Sequence, residues 1–231
     1  TQVDIDYQNF KMPPAIQNEM TPQVSSALKE SLQLIEQGSR DILWVIDAPL
    51  SPEELAIVIE LSEKYGIALA DSVQRPGSIA SLCHGKRVKY YLGTIGVYGT
   101  SSPICRFIFV NGKVVSAEHL AICFIKSKMG QPSMPFTQGN LKSKVVAINV
   151  NRNKQHLSPH ASVQVNCNAM TFFNYLSQHL EIDESVLSRR VAKIDKCIRT
   201  APDPVALIPS LPMTSNYFFQ QFGELLTELI A

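Results

Sequence analysis

The chain has 231 residues, of which 45% are hydrophobic and 18% charged, and its net charge is +1. That balance excludes a disordered chain and gives no electrostatic reason to expect nucleic acid or an anionic membrane surface as a partner. No apolar run approaches the roughly 20 residues that span a bilayer. The five cysteines, Cys83, Cys105, Cys123, Cys167 and Cys197, are odd in number and form no C-x-x-C pair, which points to reduced thiols in the cytoplasm.

Residues 1–20 read as an extended lead-in, because Pro13 and Pro14 forbid a helix there. The amino terminus is polar and acidic, with no secretory signal, and a first residue other than Met fits an excised piece. Thr21 and Pro22 open a helix as N-cap and first helical residue, and Val24, Ala27, Leu28, Leu32 and Ile35 share one face of it. Residues 41–47 (DILWVID) are apolar on both faces, as in a strand of a parallel sheet. Ser51, Pro52, Glu53 and Glu54 start the next helix with a cap, a proline and two acids, and Gly66 stops it before a second short strand at 67–70. Strand, helix and strand in this order make a βαβ unit.

Residues 72–115 lack a clear period, and 114–120 read as a turn or the start of a helix. Two further buried strands follow at 120–125 (LAICFI) and 144–150 (KVVAINV), then a short fifth at 161–165 and helices at 168–180 and 184–199. Pro202, Pro204, Pro209 and Pro212 make an extended linker, and 216–230 is a last amphipathic helix with Phe218, Phe219 and Phe222. The expected fold is α/β, a three-layer Rossmann-like arrangement of the NAD/FAD-binding kind with a mostly parallel sheet flanked by helices. The expected boundaries are a lead-in at 1–20, a central α/β domain at 21–182, and a helical, proline-rich linker at 183–231.

Little in the sequence announces catalysis. Gly93, Gly96 and Gly99 do not have the G-x-G-x-x-G spacing of a dinucleotide loop and read as turn and packing glycines. Cys83 and His84 are sequence neighbours without a third orienting group, so a surface loop is the better reading. His156 and His160 are four apart, but Pro159 lies between them and no further ligand is near. Lys126, Ser127 and Lys128 follow a strand end, where α/β sheets bind ligands, and Arg75 and Arg152 could join them around a phosphate.

Several stretches, in order, resemble the middle domain of thiamine-diphosphate-dependent enzymes of the acetolactate synthase and pyruvate decarboxylase type. They are the strand–helix–strand unit ending in GIALAD at 66–71, the YLGTIGVYG segment at 91–99, AEHLAICFIKS at 117–127, KVVAINVN at 144–151 and PMTSNYFF at 212–219. The lead-in VDID at 3–6 resembles the linker that precedes this domain in the family. The resemblance implies a non-catalytic spacer between amino- and carboxyl-terminal catalytic domains outside this chain, with homo-oligomer contacts in the parent. It implies thiamine diphosphate and magnesium in that parent, acting on a 2-oxo acid. The chain has no Gly-Asp-Gly sequence of the kind that holds them, so neither is expected here. Some family members hold FAD or ADP in this domain. A vestigial nucleotide site here would use Lys126, Ser127, Arg75, Asn149 and Asn151. Lys126 replaces the family's glycine, and Asn149 and Asn151 replace its aspartates, which argues against ribose recognition by a carboxylate. The alternative is a free-standing nucleotide-binding or regulatory α/β module.

Overall fold

The computed structural model describes residues 20–72, 76–79, 82–83, 86–96, 100–110, 113–127 and 145–200. Arg75, His84, Gly99, Lys128, the proline-rich segment and the last helix of the sequence reading lie outside these residues. Contacts divide the chain after Arg199, and the unit described below is the one that ends there.

The first half follows the local signals. Helix α1 (Pro22–Glu36) starts where Thr21 Oγ1 accepts the Val24 N–H at 3.3 Å. Strand β1 (Asp41–Ile46) is fully buried, as is β2 (Ile67–Ser72). Between them, α2 (Pro52–Tyr65) begins with a reciprocal capping box between Ser51 and Glu54 and ends at Gly66, whose φ of +63° is left-handed. A Cβ at Gly66 would also lie 2.9 Å from the Cβ of Arg190, so both backbone and packing require glycine there.

The irregular stretch holds more structure than its sequence suggests. Two-residue strands β3 (Leu82–Cys83) and β4 (Lys86–Arg87) pair antiparallel, as do β6 (Phe109–Val110) and β7 (Lys113–Val114). Between these pairs lie β5 (Tyr91–Ile95), which joins the main sheet, and α3 (Ser102–Ile108). Gly93 sits in β5 at φ +109°, and a Cβ there would meet Ser101 Oγ at 2.7 Å, so it is a packing glycine. Residues 117–119 are a turn rather than a helix start, and β8 (Leu120–Ile125) follows. Strands β9 (Val146–Val150) and β10 (Val163–Val165), helix α4 (Ala169–His179) and helix α5 (Glu184–Arg199) complete the fold.

The main sheet has six strands in the order β10-β9-β8-β1-β2-β5, and every neighbouring pair is parallel. This is the order of a doubly wound α/β fold, so the arrangement is Rossmann-like as the sequence reading expects. Side chains alternate between two cores. Ile42, Trp44 and Ile46 face one with Leu28, Phe172 and Phe173, from α1 and α4. Leu43 and Val45 face the other with Phe107 and Ile194, from α3 and α5. Helices therefore cover both faces, which is why the strands read as continuous apolar runs.

Helix α5 closes the end of the sheet opposite the carboxyl edge. Asp41, the first residue of β1, is 5% exposed and pairs with both Arg189 and Lys193. Arg190 is 1% exposed and donates to the carbonyls of Ile35 at 2.6 Å and Arg40 at 2.9 Å. Arg106 on α3 donates through two nitrogens to the Cys197 carbonyl, at 2.8 and 3.1 Å. Among the described residues no helix is long and apolar enough to cross a membrane.

Candidate functional site at the carboxyl edge of the sheet

Strand order reverses between β1 and β8, and a crevice opens outside the carboxyl ends of strands at such a point. A cleft of about 680 Å³ lies there, lined by the loop after β1 (Asp47–Pro49), Glu54, Lys126, residues 150–153, His156 and the start of α4.

The floor is a network of groups that already satisfy one another. Asp47 accepts the hydroxyl of Ser72 and, at 3.1 Å, that of Ser127, which ties together the ends of β1, β2 and β8. Lys126 has a left-handed φ of +58°, unusual for a residue with a long side chain. Its ammonium donates to Glu54 Oε2 at 2.6 Å and to the Pro49 carbonyl at 2.9 Å. Asn149 is fully buried: its amide nitrogen donates to Phe124 O and Ser127 O, and its oxygen accepts the Ser158 N–H at 2.9 Å. Asn151 donates to Ser127 O at 3.1 Å and accepts the Asn153 N–H at 2.9 Å.

Of the sequence-predicted site residues, Lys126 and Asn151 line the cleft. Ser127 and Asn149, both 0% exposed, lie beneath it as bracing groups. Arg75 lies outside the described residues. Arg152 lines the cleft and is exposed. His156 lines it too, from a single 3-10 turn (Lys154–His156), while His160 sits in a separate turn. Asp47 and Glu54 are the participants that sequence reasoning did not place here. Glu54 was visible as a helix-capping acid, but its partner Lys126 lies 72 residues away in the chain. At the far side of the cleft, Asn168 caps α4 by accepting the Thr171 N–H at 2.7 Å.

Cys167 lines the cleft, and burial pushes its pKa up to about 12, so it carries no thiolate at neutral pH. Magnesium and a diphosphate need several hard oxygen ligands converging on one point. Among the described residues no group of three or more His, Cys, Asp or Glu could hold a metal ion, and the cleft's two carboxylates are engaged by Ser72, Ser127 and Lys126. The described residues of the cleft do not fit that cofactor.

The family model described as "Biosynthesis protein PigD third domain" matches residues 27–197. The chain belongs to this family. Curated relatives agree with the PigD assignment. The chain is 33% identical over 209 residues to the "Thiamine diphosphate dependent-3-acetyloctanal synthase PigD" of Serratia sp. (strain ATCC 39006), covering 90% of this chain and 24% of that protein. It is 33% identical over 207 residues to the protein of the same name from Serratia marcescens, covering 90% of this chain and 23% of that one. The chain thus spans about a quarter of the length of these relatives. The PigD third-domain match includes four of the stretches that carry the resemblance to a thiamine-diphosphate-enzyme middle domain, at 41–71, 91–99, 117–127 and 144–151.

Proposed function

We propose that this chain is the non-catalytic central domain of a larger thiamine-diphosphate-dependent enzyme of the PigD kind, acting on a 2-oxo acid. In that enzyme it serves as a rigid spacer that sets the distance between catalytic domains and contributes to oligomer contacts. The observation that carries the reading is the coverage: nearly all of this chain aligns with only about a quarter of enzymes whose names state thiamine diphosphate dependence. Thiamine diphosphate, where bound, supplies an electron sink beside a carbonyl carbon. The side chains of this domain supply support to the protein around it, through the braced carboxyl edge and the α5 clamp.

The test is a thermal-shift titration of the chain with thiamine diphosphate and magnesium, beside a turnover assay of the whole enzyme with pyruvate. The spacer reading expects no saturable shift for the chain and turnover only in the whole enzyme. A saturable rise in melting temperature with thiamine diphosphate would place cofactor chemistry in this domain and end the reading.

A second reading, a nucleotide-binding or regulatory module, draws on the cleft at the strand-order reversal and on Arg152 at its rim. ADP or FAD that raises the melting temperature of the chain, with the gain lost in Arg152→Ala, would favour it.

A further inference from the structure

A doubly wound sheet offers one position for the diphosphate of a nucleotide above others: the amino terminus of the helix after its first strand, where free N–H groups and the helix dipole meet the anion. In this fold that helix is α2. Its first turn can be accounted for donor by donor. The Ser51 N–H goes to Glu54 Oε2 at 2.8 Å. Pro52 has no N–H. The Glu53 carboxylate is held below its ordinary pKa by the Ser51 hydroxyl and by the Glu53 N–H. The Glu54 N–H goes to Ser51 Oγ at 3.2 Å, and the Leu55 N–H to the Ser51 carbonyl at 2.8 Å.

The Ser51 and Glu54 N–H groups of that turn are already bonded, and two carboxylates stand where the anion would arrive. The lysine beside this turn is also engaged. Lys126 reaches across from the end of β8 to Glu54 Oε2, from a backbone conformation in the left-handed region. In that conformation Lys126 makes two bonds, to Glu54 Oε2 and to the Pro49 carbonyl in the loop before α2.

We propose that Glu54 and Lys126 together close the nucleotide-diphosphate position of this fold, the Glu54 carboxylate taking the place of a ligand phosphate and Lys126 serving as its permanent counter-ion. The position is thus an internal brace between α2 and β8. The disagreement with an FAD- or ADP-holding domain lies in these two residues as much as in Asn149 and Asn151.

The experiment is calorimetric titration of inorganic pyrophosphate, without metal, into the 231-residue chain and into Glu54→Ala. The variant frees the Ser51 N–H and the Lys126 ammonium. It is expected to bind pyrophosphate at least about tenfold more tightly than the parent chain, in a salt-sensitive manner. Glu54→Gln keeps an acceptor for the Ser51 N–H but removes the negative charge that pairs with Lys126. It is expected to fall between the two, and it decides the matter alone if Glu54→Ala does not fold. Loss of a merely structural cap would lower stability without creating an anion site. Equal pyrophosphate affinity in parent and variants, or no binding in any of them, would overturn the proposal. Enzyme turnover plays no part in this readout, so its outcome is separable from that of the spacer reading.

Discussion

Two buried ionisable side chains carry much of what is individual about this fold. Among the described residues no carboxylate bonds Arg190; its guanidinium is spent on the main-chain carbonyls of Ile35 and Gln37 at the end of α1, Tyr65 at the end of α2 and Arg40 just before β1. Burial, with the neighbouring Arg189, lowers its pKa to about 10, so it stays charged at neutral pH and is held by the negative ends of two helix dipoles. Arg190→Met would leave those carbonyls without donors and is expected to cost about 3 kcal/mol, seen as a lower urea midpoint at unchanged slope. An unchanged midpoint would mean that water replaces the guanidinium. Asp71 is the second such residue. Its carboxylate accepts the Gly77 N–H at 2.6 Å and the Tyr91 hydroxyl at 3.1 Å, and burial outweighs both bonds to raise its pKa. A carboxyl whose native pKa is raised holds its proton more tightly when folded. Its contribution to stability is therefore greatest in acid and is lost as pH rises from the ordinary Asp range through the raised native pKa. Asp71→Asn removes that titration while keeping an acceptor for Gly77. The melting temperature of the variant relative to the parent should climb across that window and level off above it. A difference that stays constant with pH would show that Asp71 does not titrate there.

At the scale of elements, α5 is tied to the sheet by charge as much as by apolar contact. Asp41 is gripped by Arg189 and Lys193, Arg190 bonds the Arg40 carbonyl from within the helix, and Arg106 holds the carboxyl-terminal turn through the Cys197 carbonyl. Asp41→Asn leaves two cations without their partner. The expected cost is about 2 kcal/mol, below the roughly 3–5 kcal/mol of a fully buried pair, because Arg189 and Lys193 are partly open to water. Urea unfolding at low and high salt checks this: the loss should persist in salt, whereas a surface pair would already be screened. Elements also differ in how far the sequence announced them. The unit from β1 to β2 was legible because an apolar run, a capping box and a stop glycine all agree. Strand β5 was not, because it lies at the sheet edge with only Leu92 and Ile95 buried and a glycine in its middle. Helix α3 has seven residues, too few to display a helical period.

Across the molecule, the two cores meet at the sheet, and Trp44 marks the centre of one. It is the sole tryptophan, stacked on Phe173 with ring centroids 5.4 Å apart and tilted against Phe172 at 6.2 Å. Because β1 is the central strand about which the order reverses, its unfolding should coincide with loss of the helices. Trp44 emission and far-ultraviolet circular dichroism are expected to give one urea transition, and Phe173→Ala should shift both together by about 4 kcal/mol. Two separate transitions would show that the sheet and its helices unfold independently.

What the sequence determined by itself was the layer plan. Buried strands apolar on both faces need helices on both sides, and their alternation with capped helices allows few other arrangements. The ordered motifs pointed to the thiamine-diphosphate-enzyme class, with which the PigD match agrees. Only the tertiary structure decided what the strand-end residues do. Ser127 and Asn149 appear in sequence as polar residues at ligand-binding positions, but in space Ser127 donates to the Asp47 carboxylate, while Asn149 donates to the Phe124 and Ser127 carbonyls and accepts the Ser158 N–H. The partnership of Glu54 with Lys126 was equally hidden, since side chains far apart in the chain meet only when parallel strands bring their carboxyl ends to one edge. Local signals fix elements because they act within a turn or two; a site is made of distances between elements, which packing alone sets.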